Sequence, residues 1–424
     1  MVQLHLHSLY SLLDGISTSE EYVKKAQKYN HSSIAITDHG KCSNFFNHSK
    51  ACVKSGIKPI FGIEMYVTHN LVTMEKEKRI RGKNNHVILL AENEEGYKNL
   101  LRLNYLSMSD ETHFYYSPRV SMEEVFENSK GLYCGTACIG SPFAYALKDG
   151  NDVDAENLFI KFMDVFKDRF YAEIQLNELT NEINGLKNGQ KTYNDWIIEK
   201  ANKHGVPIVV TGDVHYAEKG QDQLQTLAIA IRNKDTIDKL TFELESKNLY
   251  YHDTIDYINF NKEYNYNYDE KFILSCCNNS DFIANKLDYK MPERTKMILP
   301  KVSDDDEALL IQKAKDGLSD YFKLPFENCP IEYKKRLGTE LEVIIRKGFC
   351  SYLLILEDMF KFARENDITH STSRGSAGGS LIVFCLKMTT IDPLKFGLLF
   401  ERFISANRMA DCVYDYFVDD KENL

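Results

Sequence analysis

Leu4-His5-Leu6-His7, Ile36-Thr37-Asp38-His39-Gly40, Gly62-Ile63-Glu64-Met65 and Thr211-Gly212-Asp213-Val214-His215 each place metal-ligating side chains at the end of an apolar run. Residues two apart in a strand project to one side, so His5 and His7 can face a single point while Leu4 and Leu6 turn into the core. Asp213 and His215 repeat that spacing. The runs Ser33-Ile34-Ala35-Ile36, Pro59-Ile60-Phe61 and Val206-Pro207-Ile208-Val209-Val210 are short and mostly apolar on both faces, which predicts buried parallel strands. Pro59 and Pro207 stand near the starts of their runs, where a missing N–H disturbs a sheet least. Helical patterns separate the strands, the first opening on a capping box of Thr18 and Glu21. Repeated strand–helix units predict parallel pairing in a barrel-like α/β domain, with chemistry gathered where strands end.

The donor types narrow the chemistry. Imidazole suits zinc or iron, and manganese accepts a carboxylate-rich site. Carboxylates bridging two ions would support a polynuclear centre that activates water against a phosphate ester.

The chain has 424 residues, more than one ordinary domain. Its ten cysteines form no Cys-x-x-Cys pair, and no signal peptide or membrane-length apolar run is present. A reduced cytoplasmic protein with no membrane partner and no zinc ribbon is expected. The formal net charge of −10 argues against wholesale coating of nucleic acid, although a local basic groove is compatible with it. A Pro-bearing segment from Met291 to Pro300 runs into Ser303-Asp304-Asp305-Asp306, and a helical pattern starts at Glu307. The chain divides there into 1–290, a linker 291–303, and 304–424. Residues 240–268, rich in Tyr and Asn, are expected to form an excursion packed on the barrel.

Taken in order, His5-Leu6-His7, Leu13-Asp14-Gly15, Thr37-Asp38-His39-Gly40, Gly62-Ile63-Glu64, Asn85-His86-Val87, Ala137-Cys138-Ile139-Gly140 and Gly212-Asp213-Val214-His215-Tyr216 resemble the motifs of the polymerase and histidinol phosphatase (PHP) domain. Asn93 to Leu100, Asn279 to Ala284, Gly348-Phe349, Arg374-Gly375-Ser376-Ala377-Gly378-Gly379-Ser380-Leu381, Ile391-Asp392-Pro393-Leu394 and Leu398 to Phe403 extend the resemblance to the amino-terminal part of C-family replicative polymerases, the DNA polymerase III alpha family. The resemblance implies a distorted (β/α)7 barrel followed by a partial α/β polymerase palm. It also implies a ligand set of His5, His7, Asp14, His39, Glu64, His86, Cys138, Asp213 and His215. These would hold up to three zinc or manganese ions, with Glu64 bridging and Cys138 binding as thiolate. Family members with the full set are associated with metal-dependent 3′-5′ exonuclease activity on DNA. Others keep the domain as a scaffold.

Arg374, Gly375 and Ser376 precede the apolar run Leu381-Ile382-Val383-Phe384, so backbone N–H groups at a helix start are candidates for a deoxynucleoside triphosphate, with Arg402 as a further phosphate partner. Tight packing explains those small residues equally well. The family has Gly where this chain has Ser371 and Ser373.

The resemblance breaks at Cys412-Val413-Tyr414-Asp415-Tyr416-Phe417-Val418. Here the family carries the aspartate pair that binds two magnesium ions. Asp415 falls at one acid and Phe417 at the other, and a shift of two residues recovers Asp419 but leaves Phe417 at an acid position. This stretch by itself is therefore not expected to polymerise DNA. Splitting of the gene with a second polymerase chain, interruption by an intron or intein, and degeneration each account for it. Two rival functions stand beside the nuclease: a phosphatase acting on a small phosphomonoester, and a non-catalytic scaffold. His31, His48, His69 and His113 match no ligand position and read as ordinary polar residues, and Cys134 as a buried thiol.

Overall fold

The computed structural model describes residues 1–75, 78–80, 84–148, 151–178, 189–237, 239–241, 246–292, 299–372 and 375–404. The chain forms two compact units, Met1–Met291 and Pro292–Leu424.

The first unit is built on strands β1 (Ser33–Ile36), β2 (Lys58–Thr68), β5 (Asn85–Ala91), β7 (Leu132–Gly135), β8 (Phe170–Gln175) and β9 (Ile208–Thr211), hydrogen-bonded in that order. Between them lie a small hairpin of β3 (Thr73–Glu75) and β4 (Lys78–Ile80), and the short β6 (Val120–Ser121), which pairs with the end of β2. Residues 3–7 join the two ends of this curled sheet. Ala35 and Thr37 donate backbone hydrogen bonds to Gln3 and Leu6 on one side. On the other, His7 donates to Val214, and Val214 donates to His5. The amino-terminal run thus closes the barrel between β1 and β9.

Side-chain alternation separates two apolar layers. Ile34, Ile36, Phe61, Ile63, Val87, Leu89, Phe170, Ala172, Ile208 and Val210 pack with helix residues such as Tyr22, Val23, Ala51, Leu100 and Ile197. Ala35, Ile60, Ile88, Leu90, Tyr133, Tyr171 and Val209 form a second cluster inside the barrel, joined by Ile283 and Ala284. Along each strand the inward positions change from apolar to ligating: Ile60 to Glu64 in β2, Tyr171 to Glu173 in β8, and Val209 past Thr211 to Asp213. A greasy floor beneath a polar mouth follows directly.

One strand departs from the all-parallel expectation. β5 runs antiparallel to both β2 and β7. In its described residues the link from β2 to β5 carries the β3–β4 hairpin and no helix, so the chain doubles back beside β2 without a crossover. His86 consequently lies at the beginning of its strand, yet at the same end of the barrel as the other ligands.

Thr18 and Glu21 make the capping box of the helix Ser19–Lys28. Within 240–268, the pair Leu249 and Tyr250 hydrogen-bonds behind His215 and Tyr216, and the helix Thr254–Glu263 covers that edge. Among the described residues no helix is long and apolar enough to cross a membrane.

The described part of the second unit carries helices Asp306–Phe322, Ile331–Arg346, Cys350–Glu365 and Leu381–Cys385, and no strand. They pack around Leu310, Leu318, Leu337, Ile344, Leu353, Leu354, Leu381 and Ile382. Asp392 accepts hydroxyl hydrogen bonds from Tyr321 and Tyr333 at 2.9 and 2.8 Å, which ties the Ile391-Asp392-Pro393-Leu394 turn to two helices.

Candidate metal centre

His5 and His7 leave the closing segment on the inner side, 0% exposed, with their Nε2 atoms 3.1 Å apart. Asp213 Oδ1 lies 3.2 Å from both of those atoms, and Glu64 Oε2 lies 3.0 Å from His5 and 3.4 Å from His7. These four donors fall within 4.8 Å of one another, and so do those of His7, His39 and His215. His39 reaches Glu64 Oε1 at 2.7 Å and Asp14 Oδ2 at 3.4 Å. His86 Nε2 meets Cys138 Sγ at 2.9 Å, with its Nδ1 3.7 Å from Glu64. The structure brings all nine predicted donors together, with His7 and Glu64 at the middle.

Hydrogen-bond partners assign the nitrogen that each neutral imidazole leaves free. His5 Nδ1 is 2.7 Å from Glu173 Oε1, a carboxylate acceptor, so in the neutral ring the proton belongs on Nδ1 and the lone pair on Nε2. His7 Nδ1 donates to Ser11 Oγ at 3.1 Å, because the Ser11 hydroxyl hydrogen is committed to Asp38 at 2.8 Å. His215 Nδ1 donates to the Asp213 carbonyl at 2.7 Å. Once neutral, these three imidazoles turn Nε2, the atom left free for a metal, to the interior of the cluster.

The backbone is held against its preference at three of these places. Asp213 has φ 47°, and Leu13 and Ala137, each preceding a ligand, have φ 59° and 58°. Left-handed non-glycine residues cost of order 1–2 kcal/mol each and persist where surrounding structure fixes them. Glycine is needed beside His86: a Cβ on Gly140 would come 2.3 Å from the ring carbon Cε1.

Electrostatics point to a cation. Burial would lower the pKa values of His5 and His39, but Asp213 and Glu173 around the first and Glu64 beside the second outweigh it and hold both well above the usual imidazole range. Burial would likewise raise Asp14, Glu64 and Asp213, yet the neighbouring imidazoles keep all three below the ordinary carboxylate range. Burial pushes the Cys138 thiol up, with Asp213 and Glu64 adding to it. Asp213 Oδ1 is buried and makes no hydrogen bond of adequate geometry, despite its two imidazole neighbours. Donor atoms converging from His5, His7 and Asp213 suit a divalent ion, which would take the place of the proton held there.

Residues 3–177 match the PHP domain family, and residues 308–421 match the family described as the bacterial DNA polymerase III alpha NTPase domain. DNA polymerase III subunit alpha of Aquifex aeolicus is 35% identical over 439 residues, covering 100% of this chain and 36% of that protein. The same subunit of Borreliella burgdorferi is 33% identical over 427 residues, again covering 100% of this chain and 36% of the relative. The chain belongs to the DNA polymerase III alpha family. It spans about a third of the length of these curated relatives. Among solved structures, an amidohydrolase from Chromobacterium violaceum aligns at 14% identity over 50% of this chain and 87% of the other, with a TM-score of 0.31, too slight a likeness to carry an argument.

Several residues of this family member's centre escape a reading of ligand motifs. Glu173 is buried on β8 and accepts from His5, from Gln175 at 2.9 Å and from Thr211 at 2.6 Å. Its period-two placement in Phe170 to Gln175 was the available signal. Asp38, adjacent to His39, faces away from the ligands and takes Ser8 and Ser11. Gln225 and Arg232, from the helix Asp222–Asn233, hold the two oxygens of Asp14 at 2.9 and 3.0 Å. The excluded histidines lie elsewhere: His48 is buried against the Ile34 carbonyl and lowered to about 4 by burial, while His113 sits between Asp110 and Glu124. Cys134 is a buried thiol.

The candidate nucleotide site differs from expectation. Leu381 and Ile382 N–H groups, at the start of the helix Leu381–Cys385, already bond to the buried Glu340 carboxylate at 3.0 and 3.1 Å, as does Ser380 Oγ at 2.8 Å. An internal anion fills the position proposed for a phosphate. Gly375, Ser376 and Arg402 are exposed outside this cap, while Arg374 and the broken acidic motif, with Cys412, Asp415, Phe417 and Asp419, lie outside the described residues.

Proposed function

We propose that this chain is a metal-dependent phosphodiesterase that removes nucleotides from the 3′ end of DNA, housed in the amino-terminal part of a cytoplasmic replicative polymerase. The observation that carries the reading is the convergence of His5, His7 and Asp213 on one point, with the Nδ1 atoms of both histidines committed to Glu173 and Ser11. His5, His7, Glu64 and Asp213 would hold one ion, His39, His215 and Asp14 a second, and His86 with Cys138 a third, zinc or manganese being favoured by the mixed donors. Bound ions would supply Lewis acidity toward phosphoryl oxygen and a lowered pKa for water.

The chain's own residues do the rest. Glu173 and Ser11 keep the Nδ1 protons of His5 and His7 in place. Gln225 and Arg232 orient Asp14, and Arg232, 39% exposed, sets positive charge where a phosphodiester would approach. The apolar floor below Glu64 limits water to one side. DNA belongs to the same proposal, and magnesium and a deoxynucleoside triphosphate join it where a second polymerase chain or further sequence completes the palm.

Protein incubated with manganese or zinc and a 3′-labelled single strand should release mononucleotides. His7→Ala should abolish release while leaving the fold, read by circular dichroism, intact. Turnover of small phosphomonoesters alone would favour the phosphatase, and bound metal without either activity the scaffold.

A further inference from the structure

Beside the metal centre the protein holds one strained, exposed aromatic residue in place with a buried charge. Tyr116 has φ 64°, a left-handed conformation disfavoured for a tyrosine, and its side chain is 80% exposed. The Arg119 side chain is 0% exposed, among the largest fully buried groups, and its guanidinium donates to the Tyr115 and Ser117 carbonyls at 2.7 and 3.2 Å. Asn84 adds a bond to Ser117 Oγ at 2.7 Å. Carbonyls on either side of Tyr116 are therefore clamped, and the ring is turned outward against the edge of Tyr115, centroids 4.4 Å apart.

Its location gives it a use. Pro118 packs on Gly40, next to the ligand His39: a Cβ on Gly40 would stand 2.9 Å from Pro118 Cγ and 3.2 Å from the Tyr66 ring. Tyr66, on β2 two residues past Glu64, lies nearly parallel to His39 at 6.2 Å and edge-on to His86 at 6.3 Å. β6 begins immediately after Arg119 and pairs with β2 at Val67 and Thr68, fixing the loop to the same end of the barrel. One residue, Ser117, separates Tyr116 from Pro118, and the two chain steps reach at most about 7 Å.

We propose that Tyr116 is a stacking post for a nucleobase of a single strand that enters the metal centre past Tyr66. Aromatic side chains hold bases of any sequence by their π-faces, and a post preset by the backbone loses little freedom when the base arrives. The proposal rests on the phosphodiesterase reading, which it deepens by making single-stranded nucleic acid the substrate.

The test is equilibrium binding of a short, labelled, phosphorothioate-linked oligothymidylate to the full metal-loaded chain, compared for wild type, Tyr116→Ala and Tyr116→Phe, with metal content measured for each. The expected result is a roughly tenfold weaker affinity for Tyr116→Ala at unchanged metal content, retained affinity for Tyr116→Phe, and loss of that difference on a strand with abasic terminal nucleotides. Equal affinity of wild type and Tyr116→Ala, a difference that persists on abasic strands, or no binding by the wild type overturns it. Binding is read apart from cleavage, so a chain that binds as expected but does not cut an ordinary strand defeats the phosphodiesterase reading alone.

Discussion

Glu173 Oε1 lies 2.7 Å from His5 Nδ1, and both side chains are completely buried. This pair decides which nitrogen of His5 faces the cluster. Replacing the carboxylate by its amide, Glu173→Gln, keeps a hydrogen-bond acceptor but removes the charge. Metal affinity should fall by roughly tenfold to a hundredfold, as other partners of ligating histidines do. Competition with a chromophoric chelator measures it, and unchanged affinity would show the pair to be structural only.

Metal uptake should release protons. His5 and His39 titrate above the usual imidazole range and Cys138 above the usual thiol range, so near neutral pH the metal-free centre carries protons at positions a metal requires. The sign follows: affinity rises with pH as these groups deprotonate and falls as pH drops. In the metal-free protein, the stability from the raised imidazoles is complete below about pH 6.5 and is lost as pH rises through their folded values. Calorimetry in buffers of different ionisation enthalpy counts the protons; none released would contradict the assignment.

Gly140→Ala should dislodge the His86 ring, since the new methyl would overlap Cε1. The expected outcome is loss of metal from the His86–Cys138 position with the His5, His7 and Asp213 position still filled, seen as a reduced metal-to-protein ratio by elemental analysis. Full stoichiometry in the variant would remove Cys138 from the ligand set.

In the second unit, Glu340 accepts Arg336 Nε at 2.6 Å as well as Ser380 and two backbone N–H groups. Glu340→Ala leaves all of these donors without their buried acceptor and should cost about 3 kcal/mol. A lower urea midpoint for that unit is the measurement. A change of a few tenths of a kcal/mol would mean that water or a bound anion replaces the carboxylate.

The ligand-bearing runs were legible because strand periodicity and donor chemistry are local properties. Two apart means one side, and His5-Leu6-His7 or Asp213-Val214-His215 needs no partner to say so. Closure of the sheet was not legible in that way. Residues 3–7, which form no regular strand, close the barrel only because they exchange hydrogen bonds with Ala35 and Thr37 on one side and Val214 on the other. The antiparallel β5 depends likewise on what its connection lacks. Glu173 shows the same boundary, since nothing in Phe170 to Gln175 names His5 as its partner across 168 residues.

The glycine-rich stretch marks the opposite case. Arg374, Gly375 and Ser376 ahead of the Leu381 run read as a phosphate site, and a carboxylate about 40 residues earlier in the chain, Glu340, takes the helix-start N–H groups of Leu381 and Ile382 instead. The sequence by itself therefore determined the candidate donors and their order along the chain, which are set by side-chain type and backbone period. Only the tertiary structure decided where those donors meet, which nitrogen each histidine presents and which helix start is already occupied, because each of those depends on groups brought together from distant parts of the chain.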